Sequence, residues 1–375
     1  MKLFDVYPLF NIQLERGKGC YVYDKNNTEY LDFYGGHAVI SIGHGHEHYI
    51  QKLNEQLHRL TFYSNSVQLE IQQQVATKLG KLSGYEDYHL FLINSGAEAV
   101  ENALKVASFY NNRKKVIAFR GAFHGRTSGA VAVTDNPKIK PPINDDAHVI
   151  FLDFNDEASL ENAFKSNEIC AVIIEPIQGV NGIYEPNAAF LQLIQKLCLE
   201  HGALFIADEI QCGFGRSGQF FAHQYANVQP DIITMAKGMG NGFPVAGILI
   251  HPKIIAQYSM LGTTFGGAPL ACAAVMAVLD VIENEHLIDN AINMGNYLKE
   301  KCEQLPHVKE IRGKGLMIGV EFDFPIKEIR DKLVYKHHIF VGNSNQPNTM
   351  RFLPSLTVTK KEIDQLINAL NSLLK

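Results

Sequence analysis

Short apolar runs alternate with amphipathic stretches through the middle of this chain. Residues 88–93, 116–119, 149–152, 171–174, 203–207 and 232–235 are largely apolar and rich in Val, Ile, Leu and Phe. That length and composition predict strands covered on both faces. Between them, 67–82, 156–166 and 187–200 carry apolar residues at helical spacing, and a further helical stretch runs on from residue 95. Strand and helix patterns thus alternate from 88 to 250, which predicts a doubly wound α/β sheet. Nearer the N-terminus, residues 19–24 alternate, 25–28 turn and 29–33 return, the pattern of a hairpin. Residues 129–150, with Asp135-Asn136-Pro137 and Pro141-Pro142, are expected to be loop. A long apolar helix is predicted over 268–285, and a turn and strand over 313–321. No repeat or low-complexity segment interrupts the pattern.

Several of the apolar runs end in ionisable residues, 171–174 in Glu175 among them. The run 203–207 ends in Asp208-Glu209, and 232–235 ends in Ala236-Lys237 followed by Gly238, Gly240 and Gly242. Carboxyl ends of strands in an open α/β sheet are where ligands bind. A lone lysine is more often an exposed loop cation. Here its neighbours are Ala, Met and Gly, with no acid beside it, which favours a desolvated amine able to form a Schiff base. An acid on a pyridinium nitrogen and a lysine on an aldehyde are the pair that pyridoxal phosphate requires.

Other segments supply matching chemistry. Ser95 with Glu98 forms a capping box, which needs no ligand, yet Ser95-Gly96-Ala97 opening a helix also offers free N–H groups to a phosphate. Phe123 and Arg126 lie within four residues: an aromatic face for a flat ring and a planar donor pair for a carboxylate. Taken singly, such a Phe belongs to a core and such an Arg to a surface. His44, His46 and His48 alternate in a way that suggests a metal site, but the interleaved glycines argue for a loop, and no metal is expected.

The block D-E-I-Q-C-G-F-G-R-S-G (208–218), P-D-I-I-T-M-A-K-G (230–238) and G-F-P-V-A-G (242–247) resembles the signature of class III pyridoxal-phosphate aminotransferases. The likeness runs from about residue 17 to about 356. S-G-A-E-A, F-H-G-R-T and T-F-G-G-A-P-L resemble the acetylornithine/succinylornithine branch. The resemblance implies fold type I: a mixed, mainly parallel seven-stranded sheet wound by helices, with a smaller α+β domain from both chain ends. The implied divisions are an arm and part of the small domain at 1–55, a large cofactor-binding domain at 56–270, and a C-terminal α+β domain at 271–375.

Residue by residue, the resemblance implies that Lys237 holds pyridoxal 5'-phosphate as a Schiff base while Asp208 pairs with its ring nitrogen. Ser95, Gly96 and Ala97 would cup the phosphate, Phe123 would stack on the ring, and Glu175 and Gln211 would bond the ring substituents. Thr264 would reach the phosphate of a neighbouring subunit, so a homodimer with shared sites is expected. Arg126, Arg351 and Tyr21 would bind substrate. The implied reaction moves the δ-amino group of N2-acetylornithine or N2-succinylornithine to 2-oxoglutarate, in arginine biosynthesis. Ornithine, GABA or another ω-amino acid is the alternative donor, and S-G-A-E-A-V-E-N-A keeps the GABA type open. One departure stands out. Where ornithine and acetylornithine members carry Q-G-E-G-G or Q-G-E-A-G, this chain reads Gln178-Gly179-Val180-Asn181-Gly182, so Arg351 lacks the acid expected to neutralise it.

Composition narrows the rest. Apolar residues make up 46 % of 375 and charged ones 19 %, with net charge −5, an ordinary globular balance without a basic run for nucleic acid or a membrane surface. No apolar stretch approaches the roughly 20 residues of a membrane span, and the first residues lack a secretory core. Six scattered cysteines without C-x-x-C spacing fit a reducing cytoplasm. Two readings from other classes fit the sequence less well. A nicotinamide dehydrogenase requires G-x-G-x-x-G, which Gly238, Gly240 and Gly242 do not form. A non-catalytic binding protein of the same fold would have no need of Lys237 and Asp208 together.

Overall fold

The computed structural model describes residues 1–144 and 147–375 and contains two seven-stranded sheets. The central sheet has the order His89–Ile93, Ala246–Ile250, Ile232–Met235, Leu204–Asp208, Ile169–Ile174, Lys115–Phe119 and Val149–Leu152. Ala246–Ile250 runs antiparallel to both neighbours, and the remaining pairings are parallel. The mixed, mainly parallel seven-stranded sheet that the resemblance implies is therefore present.

The continuity of those runs follows from the two faces of each strand. Val116 and Ala118 pack into one apolar cluster with Ala99, Ala103 and Val106 of the helix Gly96–Asn111. Ile117 and Phe119 point the other way, into a cluster with Phe190 and Ile194 of the helix Ala188–His201. Ala171 and Ile173 against Val172 and Ile174 repeat the division. Successive side chains on a strand face opposite sides, so with both sides covered by helices every position must be apolar.

The second sheet joins the two ends of the chain. Its order is Leu14–Lys18, Tyr21–Asp24, Glu29–Phe33, Ile339–Asn343, Thr349–Phe352, Met317–Phe322 and Val308–Lys314, with Glu29–Phe33 parallel to Ile339–Asn343. The expected hairpin is Tyr21–Asp24 with Glu29–Phe33. The stretch around 313–321 forms a full hairpin rather than a turn and one strand. Through this sheet Arg351 is brought beside the segment after Phe33.

Several elements, the helices Leu287–Glu303, Lys327–His337 and Lys360–Leu374 among them, were not anticipated individually. Glu47–Leu57 is a helix, and the region 129–150 contains the short helix Ser128–Ala132 and a 3-10 turn, Pro137–Ile139. Between the sheets, Gly35, Gly36, His37 and Ala38 all have positive φ, from 55° to 67°. Two glycines enter the left-handed region freely. His37 and Ala38 do so at a cost of about 1–2 kcal/mol each, and the Asp32 carboxylate fixes the entry by accepting from the amides of Tyr34 and Gly35.

Candidate active site

Lys237 follows the strand Ile232–Met235 and opens a single 3-10 turn, Lys237–Met239, with its own φ at +46°. The turn is tied down from the N-terminal segment. Ser41 donates to the carbonyl of Gly238 at 2.7 Å, Tyr49 to that of Gly240 at 2.7 Å, and the Asn241 side chain accepts from the amides of Ser41 and Ile42. The amine has no hydrogen bond or ion pair among the described residues. Burial pushes its pKa below the usual lysine value, partly offset by the Asp208 and Glu175 carboxylates. Burial disfavours the charged form of an amine and so makes it a better nucleophile.

Asp208 ends the neighbouring strand and is 3 % exposed. One carboxylate oxygen lies 2.6 Å from His124 Nδ1, and the other accepts from Thr234 Oγ1 and the Ile210 amide, both at 3.1 Å. Glu175, at the end of the next strand, accepts from the amides of Phe123 at 2.9 Å and Gly179 at 3.1 Å. Burial pushes its pKa up to about 7 against the pull of those donors, with Asp208 adding to the rise.

These groups line one cavity of about 410 Å³, within the size range of small-molecule sites. Lys237, Asp208, Glu175 and Gln211 stand on its wall with Phe123 and Arg126. Ser95, Gly96 and Ala97 close another part of the same wall. The capping box at that helix start forms, with Ser95 Oγ accepting from the Glu98 amide. The Gly96 and Ala97 amides, being the first two of the helix, have no intrahelical acceptor. A phosphate would find those amides, a ring the Phe123 side chain, a ring nitrogen the Asp208 carboxylate, and an aldehyde the unpaired Lys237 amine. The donor set fits pyridoxal phosphate.

Arg351 is 2 % exposed and sits just outside the cavity lining, on the strand Thr349–Phe352. Thr264 lies on an exposed turn and Tyr21 on the hairpin, also outside that lining. The Tyr21 hydroxyl donates to Glu362 at 3.2 Å and to Gln365 at 3.3 Å on the C-terminal helix. His44, His46 and His48 each bond a different acid, Asp32, Glu285 and Asp280, and no metal-binding group of side chains occurs among the described residues.

Three residues of the site were not singled out in the sequence. His124 and Thr234 both bond Asp208. Arg216, fully enclosed, donates to the carbonyls of Leu316, Pro354 and Ile40, joining three distant segments behind the cavity. His124 lies inside the F-H-G-R-T segment and could have been found there. Arg216 and Thr234 lie inside the blocks 208–218 and 230–238, which carry the same kind of signal.

A sequence model of the family described as Aminotransferase class-III matches residues 5–374. The acetylornithine aminotransferase of Bacillus subtilis is 40 % identical over 376 residues, covering 98 % of this chain and 96 % of its own. A Sulfolobus acidocaldarius [LysW]-aminoadipate semialdehyde/glutamate semialdehyde transaminase is 37 % identical, covering 99 % and 97 %. Among solved structures, the ornithine aminotransferase of Toxoplasma gondii ME49 superposes with a TM-score of 0.89 at 29 % identity, covering 99 % of this chain and 91 % of that one.

Proposed function

This chain belongs to the class III aminotransferases, and from that premise we propose that it moves the δ-amino group of an N2-acylated ornithine, acetyl or succinyl, to 2-oxoglutarate. The products are the acylated glutamate semialdehyde and glutamate, a step of arginine biosynthesis. The observation that carries the reading is the buried, unpaired Lys237 amine in one cavity with the Asp208 carboxylate and the open helix start at Ser95. The name of the Bacillus subtilis relative supports an acylornithine as the donor.

Pyridoxal phosphate, the cofactor of this family, supplies the carbonyl that takes up the amino group and a ring that accepts the electrons of a broken C–H bond. The protein's part is positional and protonic. Lys237 would hold that carbonyl at rest and, when not so engaged, its amine would be the group placed to move a proton at the substrate carbon. Asp208, held in place by His124, Thr234 and the Ile210 amide, would keep a proton on the ring nitrogen. Arg126, exposed at the cavity mouth, orients a substrate carboxylate.

We further read the working unit as a cytoplasmic homodimer. All six cysteines are free and buried, as suits a reducing compartment, and no helix among the described residues is long and apolar enough to cross a membrane. Leu57, Leu60, Phe62, Tyr63, Val67 and Phe265 are exposed, and the Phe62 and Phe265 rings meet at 5.4 Å beside the turn carrying Thr264. An apolar patch of that extent suits a second copy of this chain. Sedimentation at micromolar concentration checks the assembly.

Visible absorption of the purified protein tests the chemistry, with glutamate, N-acetylornithine, N-succinylornithine, ornithine and GABA added in turn. Loss of the lysine-bound cofactor band with glutamate and one acylornithine is the expected result. Bleaching by glutamate alone would move the donor outside this set. A protein that shows no such band after addition of pyridoxal phosphate would overturn the assignment of Lys237.

A further inference from the structure

Arg330, on the helix Lys327–His337, is half-buried with most of its donors unused. Its Nε donates to the Val341 carbonyl at 3.0 Å, while Nη1 and Nη2 have no hydrogen-bond or ion-pair partner among the described residues. Asp331, the next residue, pairs with Lys327 at 2.8 Å instead. The Phe10 ring covers the guanidinium, with its centre 4.9 Å from the central carbon. Desolvation lowers the pKa of Arg330, and Tyr34 and Asp331 offset part of that. Four free N–H groups in a plane, backed by an aromatic ring and short of an acid, suit a carboxylate.

The fork stands near the rim of the cavity. Val341 pairs with Phe33 and the following Gly342 with Arg351, so Arg330 is tied to the sheet where Tyr34 leaves it. The Tyr34 ring lies against Gly342, where a Cβ would stand 2.9 Å from it. Its hydroxyl is 2.5 and 2.7 Å from the two ring nitrogens of His37. His37 is exposed in the left-handed turn, and its carbonyl accepts from Gln211 on the cavity wall. Desolvation of its packed side and the charges of Arg351, Lys237 and Arg330 push the imidazole down to about 4, so it is uncharged at neutral pH. His37 is thus within electrostatic reach of both the Lys237 amine and the Arg330 fork. Asp32, the nearest acid in the chain, is occupied by His44 and by the amides of Tyr34 and Gly35.

We propose that Arg330, flanked by Tyr34 and His37, forms a subsite for the free carboxylate of a succinyl group, so that N2-succinylornithine is preferred to N2-acetylornithine. This rests on the acylornithine reading above and names the acyl group. With the δ-amine at Lys237 and the α-carboxylate on Arg126, the acyl chain is the part of the donor still without a partner. An acetyl group ends in a methyl and offers the fork nothing. A succinyl group ends in a carboxylate, which makes two charge-assisted bonds to a guanidinium.

The test is calorimetric titration of the holoenzyme with N-succinyl-L-norvaline and N-acetyl-L-norvaline, which match the acylornithines but lack the δ-amine and cannot react. The succinyl compound is expected to bind at least about tenfold more tightly. Arg330→Met is expected to remove that difference by weakening the succinyl compound alone, with acetyl binding within about twofold of wild type. Unchanged acetyl binding and a retained cofactor band show that the variant is folded. Arg330→Lys, which keeps the charge without the fork, is expected to retain part of the preference. Equal binding of the two compounds by the wild type, a preference that survives Arg330→Met, or equal weakening of both would each overturn the subsite. A rise in KM confined to 2-oxoglutarate in Arg330→Met would overturn the succinyl assignment and place the keto acid there. Arg330-dependent binding of the succinyl compound by an enzyme that takes no amino group from either acylornithine would overturn the donor reading and leave the carboxylate subsite standing.

Discussion

His124 Nδ1 lies 2.6 Å from the Asp208 carboxylate, and both side chains are nearly inaccessible to solvent. The other ring nitrogen, Nε2, is buried with no partner among the described residues. The pair therefore exists for the carboxylate side alone. Thr234 and the Ile210 amide hold the second oxygen, so three donors fix the plane of the group that faces the cavity.

Replacing that carboxylate by an amide tests its charge with little change of shape. Asp208→Asn is expected to keep a visible cofactor band but to slow the half-reaction with glutamate by about 10²–10³-fold, the usual cost of losing one preorganised electrostatic partner. Single-turnover absorbance measurements separate this from a binding defect. His124→Asn should cost less, about tenfold, because Thr234 and Ile210 still orient the acid.

Glu175 gives the fold a pH signature. Its folded pKa is raised from 4.5 to about 7, so between those values the native protein holds a proton that the unfolded chain has released. Stability accordingly falls as pH rises through that window, by about 3 kcal/mol in all. Without cofactor, Glu175→Gln loses this slope. Denaturant unfolding at pH 5 and pH 8 should show the variant gaining on the wild type at the higher pH. Parallel curves at the two values would mean that Glu175 is ionised across the range.

The fold and the centre of the site were legible because their signals are local. Ile169–Ile174 and Leu204–Asp208 announce themselves as apolar runs, and Ser95 with Glu98 as a helix start. What escaped depends on residues far apart in the chain. His124 meets Asp208 across 84 positions, and Arg216 reaches Pro354 across 138. The left-handed His37 follows Gly35-Gly36, a cue to positive φ, but nothing local says that a histidine and an alanine will share it. Glu47–Leu57 was overlooked for a different reason: its apolar face is thin, with Tyr49, Ile50, Leu53 and Leu57 among seven polar residues.

Val180 stands where the Q-G-E motif carries a glutamate in the sequences this chain resembles. Its carbonyl accepts from the Asn345 amide at 2.9 Å and so keeps the loop in place whatever the side chain. Val180→Glu should bring an acid toward Arg351 without unfolding the loop. The expected outcome is a rise of about tenfold in KM for glutamate, some 1.4 kcal/mol, together with a gain in the rate with unacylated ornithine. Unchanged steady-state kinetics with both substrates would show that residue 180 does not govern Arg351.

Sharing of the site between subunits has its own test, through complementation. Thr264 is exposed and lies outside the cavity lining of its own chain, and a phosphate contact from it would have to be made in a neighbour's site. Losing one hydrogen bond to a charged group costs about 1.5–3 kcal/mol, hence Thr264→Ala should weaken cofactor binding by about 10- to 100-fold. Lys237→Ala abolishes the lysine-bound band outright. Mixed dimers of the two variants contain one site with neither change, built from Lys237 of one chain and Thr264 of the other. Recovery of tight cofactor binding and activity in up to half of the sites of the mixed dimer is the expected result. If Thr264 served its own chain, every site in the mixture would carry one lesion, and mixing would restore nothing.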